Sequence, residues 1–276
     1  MAAFSVFQKH LNPAVSLLEV SNTLASATLS LFGAQVLHYT PKRDGRERLF
    51  LSGAAQLDGS KSIRGGIPLC WPWFGAHPSN PALPAHGFAR TRPWYLAAME
   101  HSVQGHRLLL LPQDNHDCGH LSVELEVLIG AQLELRLRTR NHGTTAAPLS
   151  GALHTYFAVS DIMQIQLYGL KGPYSDKTRN WAHFDTPAPY RIEAETDRIH
   201  LTPVETVTLH DPLGDTRISS KGHDSLVVWN PWHDAHQRFP DLAPEDYRHM
   251  LCVETALTQS FMLAPDATHV LTQIIE

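Results

Sequence analysis

The chain has 276 residues, of which 43% are hydrophobic, and its formal net charge is −5 at pH 7. A chain of this size can bury a substantial core, and its slightly acidic balance creates no positive field that would attract nucleic acid or an anionic membrane surface. It contains no run of about 18 apolar residues, which argues against a membrane-spanning helix.

The cysteines and the first residues favour a reducing compartment. Cys70, Cys118 and Cys252 are odd in number, widely spaced and without a Cys-x-x-Cys pair, which suits free thiols better than a disulfide framework. Residues 1–13 lack a basic segment followed by an apolar run, so no signal peptide is expected. We therefore expect a cytoplasmic protein.

The first half of the chain contains short apolar segments bounded by turn-forming residues, at 27–39, 47–52 and 106–112. The clearest pattern follows them. From Leu121 to Ile129 apolar and polar residues alternate, and the alternation resumes at Leu133. Successive side chains of a strand point to opposite faces, so this period predicts two half-buried strands joined by a tight turn.

Segments of the same kind continue towards the C-terminus, at 163–170, 205–211, 225–230 and 268–276. The best helical candidate is 244–251, where Pro244 stands in the first turn and two acidic residues follow it. About fifteen to twenty short strands without βαβ alternation predict an all-β antiparallel sandwich with two large facing sheets. No linker or repeat divides the chain, so we expect one domain over 1–276.

Residues 62–75, SIRGGIPLCWPWFG, combine an arginine, paired glycines and aromatic rings. A hydrophobic core accounts for Trp71 and Trp73, at least one of which we expect in the interior, but not for Arg64 before two glycines. Arginine binds anions through a planar set of donors, and glycines let a backbone pass close to a ligand. The stretch therefore indicates part of a binding site.

Histidine is abundant, with 18 residues, so a metal site has to be considered. His116, Cys118 and His120 alternate in the turn-like segment HDCGH. Zinc needs a third or fourth ligand, and no further ligand is evident in the sequence. We expect a solvated loop there and no bound metal, and we interpret His233 and His236 in the same way.

Polar groups that strands do not need occur in four further stretches: HGFAR at 86–90, ALHTYF at 152–157, ETDRIH at 195–200 and LCVETA at 251–256. Alone, His154 in ALHTYF is more often a hydrogen-bonded core residue than a catalyst. Glu254 lies in a mostly apolar strand, where an ionised group needs a partner or a function. Arg64 and Arg90 taken singly are equally surface or ion-pair residues, and Asp197 alone is expected to be a surface residue of a turn before the short strand at 198–201.

Together these stretches favour a carbohydrate site. Indole rings stack on sugars, and carboxylates and imidazoles hydrogen-bond their hydroxyl groups. The guanidinium groups of Arg64 and Arg90 suit an anionic substituent such as phosphate. A histidine and a glutamate on opposite sides of a bound ring can also exchange protons with it.

In this order and spacing, IRGGIPLCWPWFG, HGFAR, ALHTYF, ETDRIH and LCVETA resemble the D-hexose-6-phosphate mutarotases of the aldose 1-epimerase, or galactose mutarotase-like, superfamily. The resemblance spans nearly the whole chain, and its first string is the most specific. It implies an antiparallel β-supersandwich with the site in a cleft on one sheet. It also implies interconversion of the α and β anomers of a hexose 6-phosphate without metal or organic cofactor. We expect a monomer whose partner is a small sugar phosphate, with no nucleic-acid or membrane partner.

Residue roles follow from the same resemblance. His154 would be the general acid that protonates the ring oxygen, and Glu254 the general base that removes the proton of the anomeric hydroxyl. Arg64 and Arg90 would bind the substrate, chiefly its phosphate. Asp197 would hold sugar hydroxyls.

The same resemblance places His86 in the lining of the cleft. One position departs from the family pattern. Some members carry Gln immediately before HGFAR as a substrate contact, whereas this chain has Ala85. That contact is therefore absent or replaced in this protein.

Three other functions are compatible with parts of the pattern. A carbohydrate-binding module without catalysis fits the sandwich and the aromatic residues, but it has no need of both His154 and Glu254. An epimerase for unphosphorylated aldoses fits the pair, although Arg64 and Arg90 argue against it. A glycosidase generally uses two carboxylates, and the sequence offers one strong carboxylate candidate.

Overall fold

The computed structural model describes residues 5–114 and 119–276, which are almost entirely strand and turn. The first ten strands are β1 (Ser5–His10), β2 (Ser16–Ser21), β3 (Ala25–Ser30), β4 (Gln35–Pro41), β5 (Leu69–Cys70), β6 (Trp94–Ser102), β7 (Gly105–Pro112), β8 (Leu121–Ile129), β9 (Leu133–Asn141) and β10 (Ala147–Leu153). The others are β11 (Tyr156–Ala158), β12 (Gln166–Tyr168), β13 (Pro173–Asp176), β14 (Ala182–Asp185), β15 (Thr196–His200), β16 (Thr206–His210), β17 (Thr216–Lys221), β18 (Ser225–Asn230), β19 (Met250–Leu263) and β20 (Thr268–Ile275).

These strands form three antiparallel sheets. A small sheet has the order β1-β2-β3-β4. One large sheet has the order β14-β13-β15-β18-β19-β10-β5, with β11 paired to β19, and the other has the order β12-β16-β17-β20-β9-β8-β7-β6. The predicted all-β antiparallel architecture is thereby confirmed. The hairpin expected from the period-2 pattern is β8–β9, in which Leu121 lies opposite Asn141 and Ile129 opposite Leu133.

The hydrophobic core draws on all three sheets. Leu125 and Leu135 from one large sheet and Leu251 and Val253 from the other belong to one continuous buried cluster. The small sheet contributes residues such as Leu29 to the same cluster. Strand alternation therefore leaves the odd-numbered positions of β19 near Val253 in the core and turns its even-numbered positions to the opposite face.

The predicted helix over 244–251 is wrong. Residues Asp246–His249 form one 3₁₀ turn, and strand β19 begins at Met250. The acidic start gives the turn its first residues, but Leu251 and Val253 pack in the core at strand spacing, which a helix would not allow. In the described ranges the one α-helix is the single turn Ala235–Arg238, and no helix there is long and apolar enough to cross a membrane.

The tryptophans of the WPW segment are both mostly interior. Trp71 is buried, and its Nε1 donates a hydrogen bond to Oγ1 of Thr139 at 2.9 Å, which joins the two large sheets. Trp73 is also buried, and its Nε1 donates to the carbonyl oxygen of Pro84 at 3.0 Å. The first of these rings therefore connects the sheets from within.

Replacing Thr139 by Val should lower the free energy of unfolding by about 1 to 3 kcal/mol, because the shape is kept while the buried indole N–H of Trp71 loses its acceptor. Urea denaturation measures the change. Thr268→Val, at an exposed position of β20, is the matched control and should be nearly neutral. An unchanged midpoint for Thr139→Val would contradict the importance of this hydrogen bond.

The paired glycines after Arg64 are fixed by the protein's own backbone. Gly65 and Gly66 have φ of +123° and +59°. A Cβ atom would lie 2.4 Å from the carbonyl oxygen of Phe50 at Gly65 and 2.1 Å from that of Val36 at Gly66. No side chain fits at either position. The close approach expected with a ligand is thus made, in this structure, with the backbone at Phe50 and with strand β4 at Val36.

Candidate active site

Strand β19 carries the first element of the site. Cys252, Glu254 and Ala256 alternate with the core residues, so they lie on the face of the sheet that is turned away from the core. In the register, Glu254 lies opposite Val227 of β18, and Val227 lies opposite Ile199 of β15. Its neighbours on this face are largely apolar, and the Glu254 side chain is buried among them.

His154 lies beside Glu254. It follows β10 directly, and its backbone N–H donates to the carbonyl oxygen of Pro68 at 3.0 Å, which fixes the chain at this bend. The ring Nε2 is 3.3 Å from Oε1 of Glu254. The sequence motifs ALHTYF and LCVETA are about one hundred residues apart, and the sheet brings their two titratable groups into contact.

Burial acts on both groups of this pair. Desolvation raises the pKa of Glu254 well above its ordinary value of 4.5, with a smaller contribution from the negative charge of Asp197. Desolvation also lowers the pKa of His154 well below 6.5, and the nearby His86 and Arg90 add to this effect. Each group is therefore driven towards its neutral form, so the pair holds a single proton over a wide range of pH.

Three buried polar atoms of this region have no hydrogen-bond partner within the protein: Nδ1 of His154, Oε2 of Glu254 and Nε of Arg64. Buried polar atoms are nearly always paired in folded proteins, because an unpaired one costs stability. Two of these atoms belong to side chains that contact each other, His154 and Glu254, which indicates groups whose hydrogen bonds a ligand can complete.

Arg64 is held in place by three neighbours. Its Nη1 donates to the hydroxyl of Tyr156 at 3.0 Å, and its Nη2 donates to Oδ1 of Asp241 at 3.2 Å. The guanidinium carbon lies 5.0 Å from the ring centre of Phe239. Asp241 is buried and also lies 3.6 Å from Nζ of Lys61. Arg64 thus shares one buried carboxylate with Lys61, and two of its nitrogens already donate within the protein.

Arg90 has a different environment. It lies in the 3₁₀ turn Ala89–Thr91 and donates from Nη2 to the carbonyl oxygen of Ala85 at 2.9 Å. Within the described parts of the chain no carboxylate forms an ion pair with it. Ala85, the residue at which this chain departs from the family pattern, therefore holds this arginine through its backbone carbonyl.

His86 lies between the aromatic segment and the pair. Its ring meets Phe74 and His154 edge-on, at centroid distances of 5.0 and 6.0 Å. Its Nδ1 accepts a hydrogen bond from the backbone N–H of Gly75 at 3.2 Å, which requires that nitrogen to be unprotonated. Burial, with Arg90 nearby, lowers the pKa of His86 to about 3. His86 is therefore a neutral group at this edge of the site.

Asp197 lies on the same face, two strands from Glu254. It pairs across β15 and β18 with Trp229, which in turn pairs with Cys252. Its Oδ2 is 2.7 Å from Nζ of Lys177. Burial raises the pKa of Asp197, and the positive charge of Lys177 opposes that rise.

The structure thus brings His86, Arg90, His154 and Glu254 together, places Arg64 near His154 through Tyr156, and puts Asp197 on the same face. The motif analysis missed Tyr156, Trp229, Asp241 and Lys177. The Tyr156 ring stacks on His154 at 5.0 Å between centroids with planes 14° apart, and Trp229 meets His154 edge-on at 6.0 Å. Tyr156 stood inside ALHTYF, whereas Lys177 and Asp241 had no sequence signal.

The histidine cluster considered for metal binding lies partly outside the described residues, which exclude His116 and Cys118. Within residues 5–114 and 119–276 no three His, Cys, Asp or Glu side chains converge to hold a metal ion. His233 is exposed and contacts Asp234 at 2.9 Å. The absence of a bound metal remains a prediction.

Chemically, the site combines a proton-sharing pair and aromatic rings on one sheet face with a nearby arginine that has no carboxylate partner in the part of the chain that the structure describes. The pair can take a proton from one oxygen of a ligand and give one to another without charging the interior. The arginine can attract an anionic substituent. This combination suits an oxygen-rich cyclic ligand that carries negative charge.

Comparison with known proteins agrees with the motifs. A family profile for aldose 1-epimerase matches residues 16–276. An Escherichia coli K12 protein named "Putative glucose-6-phosphate 1-epimerase" is 31% identical over 251 residues, which cover 88% of this chain and 83% of the relative.

Solved structures agree as well. A crystal structure from Salmonella typhimurium, described as "a putative mutarotase (YeaD)", has a TM-score of 0.87 at 27% identity and covers 99% of this chain and 96% of that one. A galactose mutarotase-like protein of Clostridium acetobutylicum, at 12% identity over 99% of this chain and 98% of its own, shares the fold with a TM-score of 0.74. The resemblance read from the sequence is confirmed, and the chain belongs to the aldose 1-epimerase family.

Proposed function

We propose that this protein interconverts the α and β anomers of hexose 6-phosphates, with glucose 6-phosphate as the reference substrate. The observation that carries the proposal is the buried contact of 3.3 Å between His154 Nε2 and Glu254 Oε1, beside which the positive charge of Arg90 acts on both groups. The glucose-6-phosphate 1-epimerase activity for which the relatives are named supports the same proposal.

In the proposed reaction, the carboxylate of Glu254 removes the proton from the anomeric hydroxyl. His154 delivers a proton to the ring oxygen, the bond between C1 and that oxygen breaks, and an open-chain aldehyde forms. Rotation about the C1–C2 bond presents the other face of the carbonyl, and closure reverses both proton transfers. A positioned acid and base each contribute about 10²- to 10⁴-fold.

The single proton of the buried pair fits this scheme. The reactive arrangement has the proton on His154 and an ionised Glu254, and the resting arrangement has it on Glu254. Moving the proton between two groups 3.3 Å apart interconverts the two forms without any net change of charge. Arg64 and Arg90 bind the substrate, chiefly its phosphate, while Asp197 holds hydroxyls and His86 lines the site.

Exchange NMR on glucose 6-phosphate, with and without the protein at equilibrium, tests the proposal directly. The protein should broaden or cross-saturate the two anomeric signals beyond the spontaneous rate. An unchanged exchange rate at high protein concentration would reject an epimerase function. It would favour a carbohydrate-binding module if titration still showed binding.

An epimerase for unphosphorylated aldoses is the second candidate. It is favoured by Arg64, because Tyr156 and Asp241 already accept hydrogen bonds from its Nη1 and Nη2, which leaves fewer N–H donors for a phosphate. Measuring exchange on glucose beside glucose 6-phosphate separates the two. Equal values of kcat/KM for glucose and for glucose 6-phosphate would support the unphosphorylated substrate.

The pH dependence should be a broad plateau with two limbs. On the acid side, kcat/KM should rise as the pH increases past the lowered pKa of His154. Below that pKa both His154 and Glu254 are protonated, so neither can accept a proton. On the alkaline side it should fall at the raised pKa of Glu254, because the pair then has no proton to give. The exchange rate, corrected for the spontaneous rate at each pH, checks this. A corrected rate that climbs steadily into the alkaline range would contradict a one-proton pair.

A further inference from the structure

The hairpin β13–β14 holds two exposed side chains next to Asp197. Its turn is built by Asp176, whose Oδ1 accepts hydrogen bonds from the backbone N–H of Thr178 at 2.9 Å and from its hydroxyl at 2.6 Å. The backbone N–H of Trp181 donates to the carbonyl oxygen of Asp176 at 2.8 Å. Lys177 and Trp181 therefore stand at defined positions on this turn.

The ammonium group of Lys177 has more N–H donors than its ion pair with Asp197 uses. An ammonium group carries three N–H donors, and its one ion-pair partner among the described residues is Asp197, at 2.7 Å from Nζ. The Lys177 side chain is 35% exposed and that of Asp197 is 19% exposed. The pair thus offers N–H donors and carboxylate lone pairs side by side, with almost no net charge.

The backbone of Trp181 has a left-handed conformation, which is unfavourable for a residue other than glycine. Its φ is +63°, directly after Asn180 at +54°, and a left-handed backbone costs an ordinary residue some stability. Its indole is 54% exposed. The Nζ atom of Lys177 lies 5.6 Å from its ring centre. A strained backbone that presents an exposed aromatic ring beside a donor–acceptor pair is typical of a ligand contact.

The distance to the catalytic pair suits one sugar ring. Asp197 is two strand spacings from Cys252 across the sheet, and Glu254 is two residues further along β19. These steps put the Cα atoms of Asp197 and Glu254 about 12 Å apart. Their side chains project from the same face. A hexose whose C1 lies at Glu254 therefore extends its far hydroxyls towards Asp197 and Lys177.

We propose that Lys177 and Asp197 together bind two neighbouring hydroxyl groups of the sugar, one by donation and one by acceptance, and that Trp181 covers the exposed face of the ring. This inference rests on the proposed function, since it assumes a hexose in the site. A neutral pair suits uncharged hydroxyls, whereas a phosphate placed there would meet the Asp197 carboxylate. The phosphate of the sugar would bind more favourably to Arg90.

The activity test uses Lys177→Met, which keeps the aliphatic stem and removes the donors. Loss of a charged hydrogen bond should raise KM about 10- to 100-fold, and by the same factor for glucose and for glucose 6-phosphate. Lys171→Met, at an exposed position before the same hairpin, should leave KM unchanged. A loss confined to glucose 6-phosphate would show that Lys177 binds the phosphate and would overturn the proposal.

Binding tests the inference without catalysis. Titrating glucose 6-phosphate should change the tryptophan fluorescence of the wild type, and Trp181→Phe should abolish most of that change while keeping the melting temperature. If the wild type shows this signal but exchanges no anomers, the proposed epimerase activity is rejected, whereas the proposal that Lys177, Asp197 and Trp181 bind the sugar is supported. If the fluorescence response of Trp181→Phe equals that of the wild type, or neither responds, Trp181 does not cover the ring and the inference is wrong.

Discussion

Changing Glu254 to Gln or His154 to Ala should abolish most of the anomer exchange on glucose 6-phosphate while the sugar phosphate still binds. The Gln side chain keeps the shape of Glu254 but cannot accept the proton of the anomeric hydroxyl. The Ala side chain removes the group that supplies the ring oxygen with a proton. Each loss should amount to about 10²- to 10⁴-fold in kcat, measured by exchange NMR, with binding followed by calorimetry.

Surface variants of the same chemistry serve as controls. Glu245→Gln and His233→Ala are exposed substitutions outside the sheet face of the site and should exchange anomers at the wild-type rate. The double variant of Glu254 and His154 should lose less than the sum of the two single losses, because groups that act as a unit are not additive. Wild-type exchange in either single variant would remove that residue from the mechanism.

The fold was accessible from the sequence because strand period is a local signal. Alternation at 121–137 specified β8 and β9 to within a few residues, and the density of short strands specified large facing sheets. The error at 244–251 arose where two signals conflicted. Pro244 and its acidic neighbours favour a helical start, but the core positions of Leu251 and Val253 require a strand from Met250 onward.

The site was only partly accessible. His154 and Glu254 stood out because polar groups in apolar strands need an explanation, and the sheet register explains how segments about one hundred residues apart meet. Lys177 and Asp241 were missed because a lysine or aspartate in a polar turn looks solvated in sequence. Their roles depend on partners, Asp197 and Arg64, that only the folded chain brings near.

The two arginines were equivalent in the sequence and are not equivalent in the fold. Arg64 donates to Tyr156 and to Asp241, a carboxylate that it shares with Lys61, and its buried Nε has no partner within the protein. Arg90 donates to a neutral carbonyl, and no carboxylate of residues 5–114 or 119–276 forms an ion pair with it. A dianionic phosphate bound by a protein of net charge −5 needs such an uncompensated cation.

Arg90→Ala should therefore raise KM for glucose 6-phosphate about 10- to 100-fold, with a smaller effect on kcat. A charge-assisted hydrogen bond contributes about 1.5 to 3 kcal/mol, and a contact made equally in ground and transition states acts on binding rather than on the chemical step. Activity on free glucose should barely change, because no phosphate is present to lose. Exchange NMR over a range of sugar concentrations gives kcat and KM for the wild type and for Arg90→Ala, each on glucose and on glucose 6-phosphate.

The control for Arg90→Ala is Arg217→Ala, on β17 of the other large sheet, where the side chain is 60% exposed. It removes one positive charge from the protein as a whole and should leave both substrates unaffected, which separates local binding from net charge. Raising the salt concentration should weaken wild-type binding of glucose 6-phosphate more than that of glucose. Equal losses on the two sugars in Arg90→Ala would mean that Arg90 supports the ring or the fold. Phosphate recognition would then have to come from Arg64, despite its ion pair with Asp241.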